Sequence, residues 1–435
     1  MENLTIGFLG LGAGLILLLL RVQIGVALGL VSFIGIGVLL NARAAWGMLT
    51  AVPFNFVGDW NLTAIPMFLL MGFVASETGI SSGLFRAMRI LLAWLPGGLA
   101  VASVGACAML SAASGSSVAT SSAFARIATP EMLRYKYDPG LATGVIAASG
   151  TLGSLIPPSI LMVLYGYLAE VSIAKLFMAG FLPGLLSATM FIAMIVIRCS
   201  LNPRLAPAVT DTFTTRDFLV AAKEIWALPT IIVGVLSGIF IGLFSPTEAG
   251  AVGAALAICL GAARRSLSWG ALYRSGLATL TSTAGIFMVV IGTTLLGKFM
   301  TLSGVPGFIA SSLLSPGSTQ LLVIAMVAVL YLILGCFLDS IGIMLLTMPI
   351  ILPVAREVGI EPIYFGIILV KLLEIGLVTP PVGLNVYIVK AALGERVPLV
   401  SIFRGVSWFI AVDLITLALL IAFPVISLYL PSLMD

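Results

Sequence analysis

The stretch Glu374-Ile375-Gly376-Leu377-Val378-Thr379-Pro380-Pro381-Val382-Gly383 lies in the middle of an apolar run, 362–394, and it has a counterpart. Inside another apolar run, 139–171, the chain reads Ser149-Gly150-Thr151-Leu152-Gly153-Ser154-Leu155-Ile156-Pro157-Pro158-Ser159. Runs of this length can cross a bilayer. Tandem prolines, however, remove two backbone donors and clash with the preceding turn. Each run is therefore read as a helix broken at its centre. Carbonyls before the prolines lose their helical partners, and in a bilayer such groups survive only where they line a cavity or bind something.

The two stretches are 223 residues apart, and the same offset carries Pro130 onto Pro353, Pro139 onto Pro362 and Gly153 onto Gly376. It also places Asp138 on Glu361, Ser116 on Asp339 and Ser117 on Ser340, without a gap for more than 40 residues. With only 22 prolines in 435 residues, this agreement reads as an internal repeat. The first half is taken as 1–215 and the second as 216–435.

Composition sets the solvent. The chain is 60% hydrophobic and 9% charged, against about 25% charged in ordinary soluble domains. Its polar surface is too small to cover a water-soluble globule, so lipid must cover much of it. A net charge of +4 without a basic run excludes a nucleic-acid surface. There is no histidine, which removes Ser-His-Asp hydrolysis and histidine proton relays, and no P-loop motif for ATP hydrolysis. Cys107, Cys199, Cys259 and Cys336 are far apart and read as small core residues. Gly10, Gly12 and Gly14 read as helix-packing positions. The apolar N-terminus, lacking a basic flank and cleavage site, reads as a mature first helix.

Eight spans are expected at 4–20, 24–41, 60–77, 173–198, 227–245, 246–263, 277–297 and 403–430. Amphipathic pieces at 83–95, 266–276 and 304–315 read as arms along the membrane surface. Arg21, Arg86, Arg89, Arg198, Arg204, Arg216, Lys223, Arg264 and Arg265 fall on one side if both termini lie outside, with Arg43 and Lys298 as exceptions. An odd number of crossings then separates the halves, so the repeats run in opposite senses, as in many secondary transporters.

Two longer runs carry the chemistry. A straight helix through 97–130 would measure about 50 Å at 1.5 Å per residue, against a hydrocarbon core of about 30 Å. A re-entrant hairpin is the natural solution, with Ser111-Ala112-Ala113-Ser114-Gly115-Ser116-Ser117 and Thr120 to Ser122 at its tip and the polar loop 131–138 at its base. By the same argument 318–353 is a second hairpin with Gly335-Cys336-Phe337-Leu338-Asp339-Ser340-Ile341-Gly342 at its tip. An ionised Asp339 amid hydrocarbon needs a cavity and a partner. No Lys or Arg is near it in sequence, and a bound cation is the simplest partner. Hydroxyl, carboxylate and freed carbonyl oxygens suit Na⁺, and helix N-termini after the breaks suit a substrate carboxylate.

Each feature also has a plainer reading. Ser/Gly/Ala runs serve close helix packing, a Pro-Pro pair can be a simple kink, and Asp339 can be a loop residue. Their recurrence in both halves favours the functional reading. Lys371 and Glu374, three apart, are expected to pair, and Asp413 reads as a surface residue near the start of the last span. Trp46, Trp60 and Trp94 read as interface anchors.

With Ser114-Gly115-Ser116-Ser117, Ile156-Pro157-Pro158-Ser159, Asp339 and Thr379-Pro380-Pro381-Val382-Gly383 in this order, the chain resembles the large membrane subunit of tripartite ATP-independent periplasmic (TRAP) transporters over nearly its whole length. The resemblance implies an all-α polytopic inner-membrane protein working as an elevator against a scaffold. It implies a periplasmic substrate-binding protein and a separate small membrane subunit of about four helices as partners. Carboxylates such as C4-dicarboxylates, sialic acids or sugar acids would be the substrates, with two or more Na⁺ co-transported. Matched by motif, Ser114 and Ser116 with Gly150 and Gly153 would serve one sodium site. Asp339 with Gly335, Thr379 and Gly383 would serve the other sodium region. Ser116, Ser117, Ser159 and Ser340 are the substrate candidates. Competing readings are a stand-alone carboxylate symporter, an intramembrane hydrolase using Ser116 or Asp339, and a channel.

Overall fold

A computed structural model describes residues 2–207, 214–313, 319–336 and 338–434. Among these, all regular structure is helical. The first half contains α1 (Glu2–Leu19), α2 (Ile24–Leu39), α3 (Ala42–Val57), α4 (Ala64–Glu77), α5 (Ile80–Leu92), α6 (Gly98–Ser114), α7 (Ser117–Arg134), α8 (Pro139–Leu155), α9 (Ile160–Ala169) and α10 (Ile173–Leu201). The second contains α11 (Thr215–Ile225), α12 (Ala227–Phe240), α13 (Pro246–Ala263), α14 (Trp269–Ser303), α15 (Val305–Leu313), α16 (Gln320–Gly335), α17 (Ser340–Glu357), α18 (Pro362–Gly376), α19 (Leu384–Leu393), α20 (Leu399–Ala422) and the single turn α21 (Val425–Leu428). Seven helical segments among the described residues are long and apolar enough to cross a bilayer.

Both long runs fold as helix pairs, α6–α7 and α16–α17, and both proline-bearing runs as broken helices, α8–α9 and α18–α19. Local chemistry explains the shared boundaries. Asp138 accepts a hydrogen bond from Leu141 N, with Pro139 in the first turn of α8. Glu361 accepts one from Tyr364 N, with Pro362 in the first turn of α18. A carboxylate cap satisfies an orphan donor, and a proline at the first position has no donor to lose.

Several expectations change. Residues 266–276 and 277–297 are not an arm and a span but one helix, α14. Ser268 caps it at Ala271 N, and no proline or break intervenes before Gly304 closes it at φ +75. The last span stops at Ala422 because Phe423, ahead of Pro424, leaves the helical region. α7 runs on through Arg134, so the first half of the loop expected at 131–138 is helical while 135–138 remains a turn, and Arg89 of α5 pairs there with Glu131. α3 and α11 had not been recognised as helices. The last residues of the 304–315 arm, position 318 and Phe337 lie outside the described residues.

Buried apolar side chains form three main clusters. One joins α1, α2 and α14 around Leu28, Ile36 and Phe299. A second surrounds α6–α8, α19 and α20, and a third surrounds α9 and α16–α18. Gly10 packs on the Phe299 ring as a contact glycine, whereas nothing lies within 4 Å of the Cβ positions of Gly12 and Gly14. Cys107 and Cys199 are core residues, but Cys259 is exposed. Trp46, Trp60 and Trp94 are exposed, as interface anchors would be. The surface reading of Asp413 fails: its side chain is completely buried and holds Lys371 at 2.6 Å.

Candidate functional site: the cavity between the two helix-pair tips

α6 ends because Gly115 takes the left-handed conformation, φ +58, which glycine adopts without strain. Ser116 then caps α7, its Oγ accepting from Ala119 N at 3.4 Å. In the second pair, Asp339 caps α17, its Oδ2 accepting from Gly342 N at 3.1 Å. Each tip rests on a proline break of its own half. A Cβ at Gly115 would lie 3.0 Å from the carbonyl oxygen of Pro158. Cys336 Sγ donates to the carbonyl of Pro380 at 3.0 Å. Both proline pairs are joined by cis peptide bonds.

The two tips share a cavity of about 90 Å³ lined by Gly115 to Val118, Ser154, Ile160, Leu161, Asp339 to Ile341, Leu377 and Leu384. Asp339 is the one charged residue among those lining it. Among the described residues no Lys or Arg makes an ion pair with Asp339. Ser117 Oγ is satisfied by Ser154 Oγ at 2.6 Å and the Thr151 carbonyl at 3.4 Å. The Ser340 hydroxyl is buried with no hydrogen-bond partner. Ser117, Ile160, Ser340 and Leu384 begin α7, α9, α17 and α19, so four helix N-termini border the cavity. Their free N–H groups make the surroundings favourable to anions.

The cavity thus collects Ser116, Ser117, Asp339 and Ser340 of the residues expected from sequence. Ser159 is buried one position away and caps α9 through Met162 N. Ser114 is turned to Thr120 Oγ1 at 2.9 Å. Gly150 accommodates the Ser121 side chain, and Gly153 the backbone of Ser116. The carbonyls of Gly153 and Ser154 precede Pro157 and Pro158 by four positions, where no N–H exists to receive them. Gly335 meets Gly376 where α16 crosses α18. Thr379 Oγ1 donates to the Ile375 carbonyl at 2.6 Å. Gly383 precedes α19 at φ +59. Sequence reasoning had not selected Ser154, although its place one turn before Pro157 was a usable signal.

A larger cleft of about 1070 Å³ contains none of these residues. Its walls include Asp59, Glu170 and Lys298, with Gly166 to Leu168 of α9 and Met348, Pro349, Leu352 and Pro353 of α17. α9 and α17 therefore run from the small cavity to the large cleft.

Apolar helices, broken in two places around a small polar cavity, define a polytopic helical membrane protein of transporter fold. The Alcanivorax borkumensis YdaH transporter shares that fold, with a TM-score of 0.60 and 15% identity over 88% of this chain and 90% of the other. Residues 11–426 match the family model of the tripartite ATP-independent periplasmic transporter, DctM component, and the chain belongs to this family. It is 36% identical to the C4-dicarboxylate TRAP transporter large permease protein of Pseudomonas aeruginosa, over 87% of this chain and 88% of that one. It is 32% identical to the isethionate TRAP transporter permease protein DctMQ of Oleidesulfovibrio alaskensis, covering 97% of this chain but 65% of that longer protein. Proteins of this kind are transporter permeases, not enzymes.

Proposed function

We propose that the chain is the large permease subunit of a sodium-coupled, binding-protein-dependent importer of small organic anions across the inner membrane. The observation that carries this reading is the shared cavity, where Asp339 and the unpartnered Ser340 hydroxyl meet Ser116 and Ser117. Asp339 among apolar helices favours a cation, and Na⁺ entering with the substrate supplies it. Asp339, Gly335, Thr379 and Gly383 form one proposed Na⁺ region, and Ser114, Ser116, Gly150 and Gly153 the other. The substrate carboxylate, drawn to the helix N-termini, contacts Ser116, Ser117, Ser159 and Ser340. The two halves act as inverted repeats, and the paired hairpins with their broken helices move as an elevator against a scaffold containing α1, α2 and α14.

A cavity of about 90 Å³ is far below the roughly 300–1,000 Å³ of drug-sized ligand pockets. That favours a short acid such as a C4-dicarboxylate over a sialic acid. The partners are a periplasmic binding protein and a small membrane subunit of about four helices, which the DctMQ relative suggests can also be fused to this component.

The test is uptake into proteoliposomes containing this chain and its small subunit, supplied with the binding protein. An inward Na⁺ gradient is compared with an equal K⁺ gradient. Uptake requiring both Na⁺ and binding protein is expected. Asp339→Asn keeps a good helix cap but removes the charge, and should abolish the Na⁺ dependence without impairing insertion. Full Na⁺-driven uptake by this variant would refute the role of Asp339. Uptake without the binding protein would identify a stand-alone symporter.

A further inference from the structure

α18 carries two charged residues that do not line the cavity between the tips, Lys371 and Glu374, and both are completely buried. The Lys371 ammonium donates to Asp413 Oδ1 of α20 at 2.6 Å, to Ser187 Oγ of α10 at 3.0 Å and to Glu374 Oε2 at 3.4 Å. Its three protons are thereby used. The two carboxylates are not satisfied: Glu374 Oε1 and Asp413 Oδ2 are buried without a partner. Two carboxylates against one ammonium leave one negative charge in excess.

Among the described residues no charged side chain packed against α18 offsets that charge, and α8 presents to the Glu374 carboxylate only the backbone N–H of Leu155. α8 has no titratable side chain. Tyr165 of α9 is committed to the Pro362 carbonyl, Tyr331 of α16 to Thr347, and Arg356 of α17 to the Ala169 carbonyl. Lys175 and Arg198 sit near the two ends of α10, and Arg404 is exposed on α20. Phe191 of α10 closes the ammonium side with its ring 6.0 Å away. An uncompensated buried charge costs several kcal/mol, so the group must take up one more positive charge. Na⁺ is usually bound by several oxygens, and only two are free here.

We propose that Lys371, Glu374 and Asp413 form a one-proton binding site, with the proton held on Glu374 throughout the transport cycle. The shorter contact identifies Lys371 and Asp413 as the ion pair, and the longer one leaves Glu374 as the neutral acid. One proton makes the cluster neutral where α10, α18 and α20 meet. α18 leads within one turn of Glu374 to Leu377 at the cavity, so the site joins these helices without exposing a charge to lipid. The proposal is independent of the identity of the transported anion.

Infrared spectroscopy of the reconstituted full chain tests it directly. The wild type should show the carbonyl stretch of a protonated carboxyl at neutral pH, unaffected by Na⁺ or K⁺. Glu374→Gln should remove that band and keep uptake within about threefold of wild type, since the amide is a neutral replacement. Absence of the band in the wild type would overturn the proposal, as would its loss on adding Na⁺ or K⁺. A drop in Glu374→Gln uptake of more than about tenfold at normal insertion would show that the proton must leave, and would overturn retention.

Discussion

Ser340 has a buried hydroxyl with nothing to bond, and it lies beside Asp339 in the shared cavity. A buried polar group without a partner costs about 1–3 kcal/mol. Removing it should therefore not destabilise the protein. Ser340→Ala is expected to keep or slightly raise the melting temperature in detergent, while the KM for uptake rises several-fold. A lowered melting temperature with unchanged KM would mean that the hydroxyl is structural. Gly342 shows how tightly this corner is built: an added Cβ would lie 2.8 Å from both Asp339 Oδ1 and Ile24 Cδ1. The carboxylate position is thus set by the helix it caps.

At the scale of elements, helices meet through glycines that allow backbone to touch backbone. Gly25 on α2 faces Gly292 on α14, Gly335 faces Gly376, and Gly140 with Gly144 faces Gly405 on α20. Such contacts suit association in lipid, where packing replaces the hydrophobic drive. A Cβ at Gly405 would fall 1.8 Å from the Gly140 carbonyl oxygen, so α8 and α20 would have to separate. Gly405→Ala should destabilise the protein by about 1–3 kcal/mol, visible as a lower melting temperature. Gly307→Ala, where nothing lies within 4 Å, is the control and should leave it unchanged. Equal behaviour of the two would show that the α8–α20 contact is loose.

For the whole molecule, the elevator proposal requires the second hairpin to slide along α14. Gly297 of α14 and Pro349 of α17 face each other, with a Cβ at Gly297 falling 3.6 Å from Pro349 Cβ. That separation matches a disulfide. Gly297→Cys combined with Pro349→Cys should cross-link on oxidation, arrest uptake, and recover on reduction, while the single variants continue to transport. Undiminished uptake by the fully cross-linked protein would exclude movement of α17 along α14.

Much of this architecture was legible in the chain because its signals are local. Tandem prolines break helices wherever they stand, over-long apolar runs must fold back in a bilayer, and the 223-residue register places both features twice. Expected breaks and tips fall where Ile156–Ser159, Leu377–Gly383 and Gly115–Ser116 separate helices, and where α16 ends at Gly335 and Asp339 caps α17. Three-dimensional packing decided the rest. Whether Gly150 and Gly335 act as ligands or as contact surfaces depends on the opposing helix, which no local pattern reveals. Lys371 and Glu374 were recognisable as a pair from their spacing. Asp413 is 42 positions away from Lys371, and only the packing of α20 on α18 made it the nearer partner. The chain alone could determine which residues are able to break, cap or carry charge; bringing Ser116 and Asp339 to one cavity and Asp413 to Lys371 required the fold, because each pair belongs to segments that no local interaction connects.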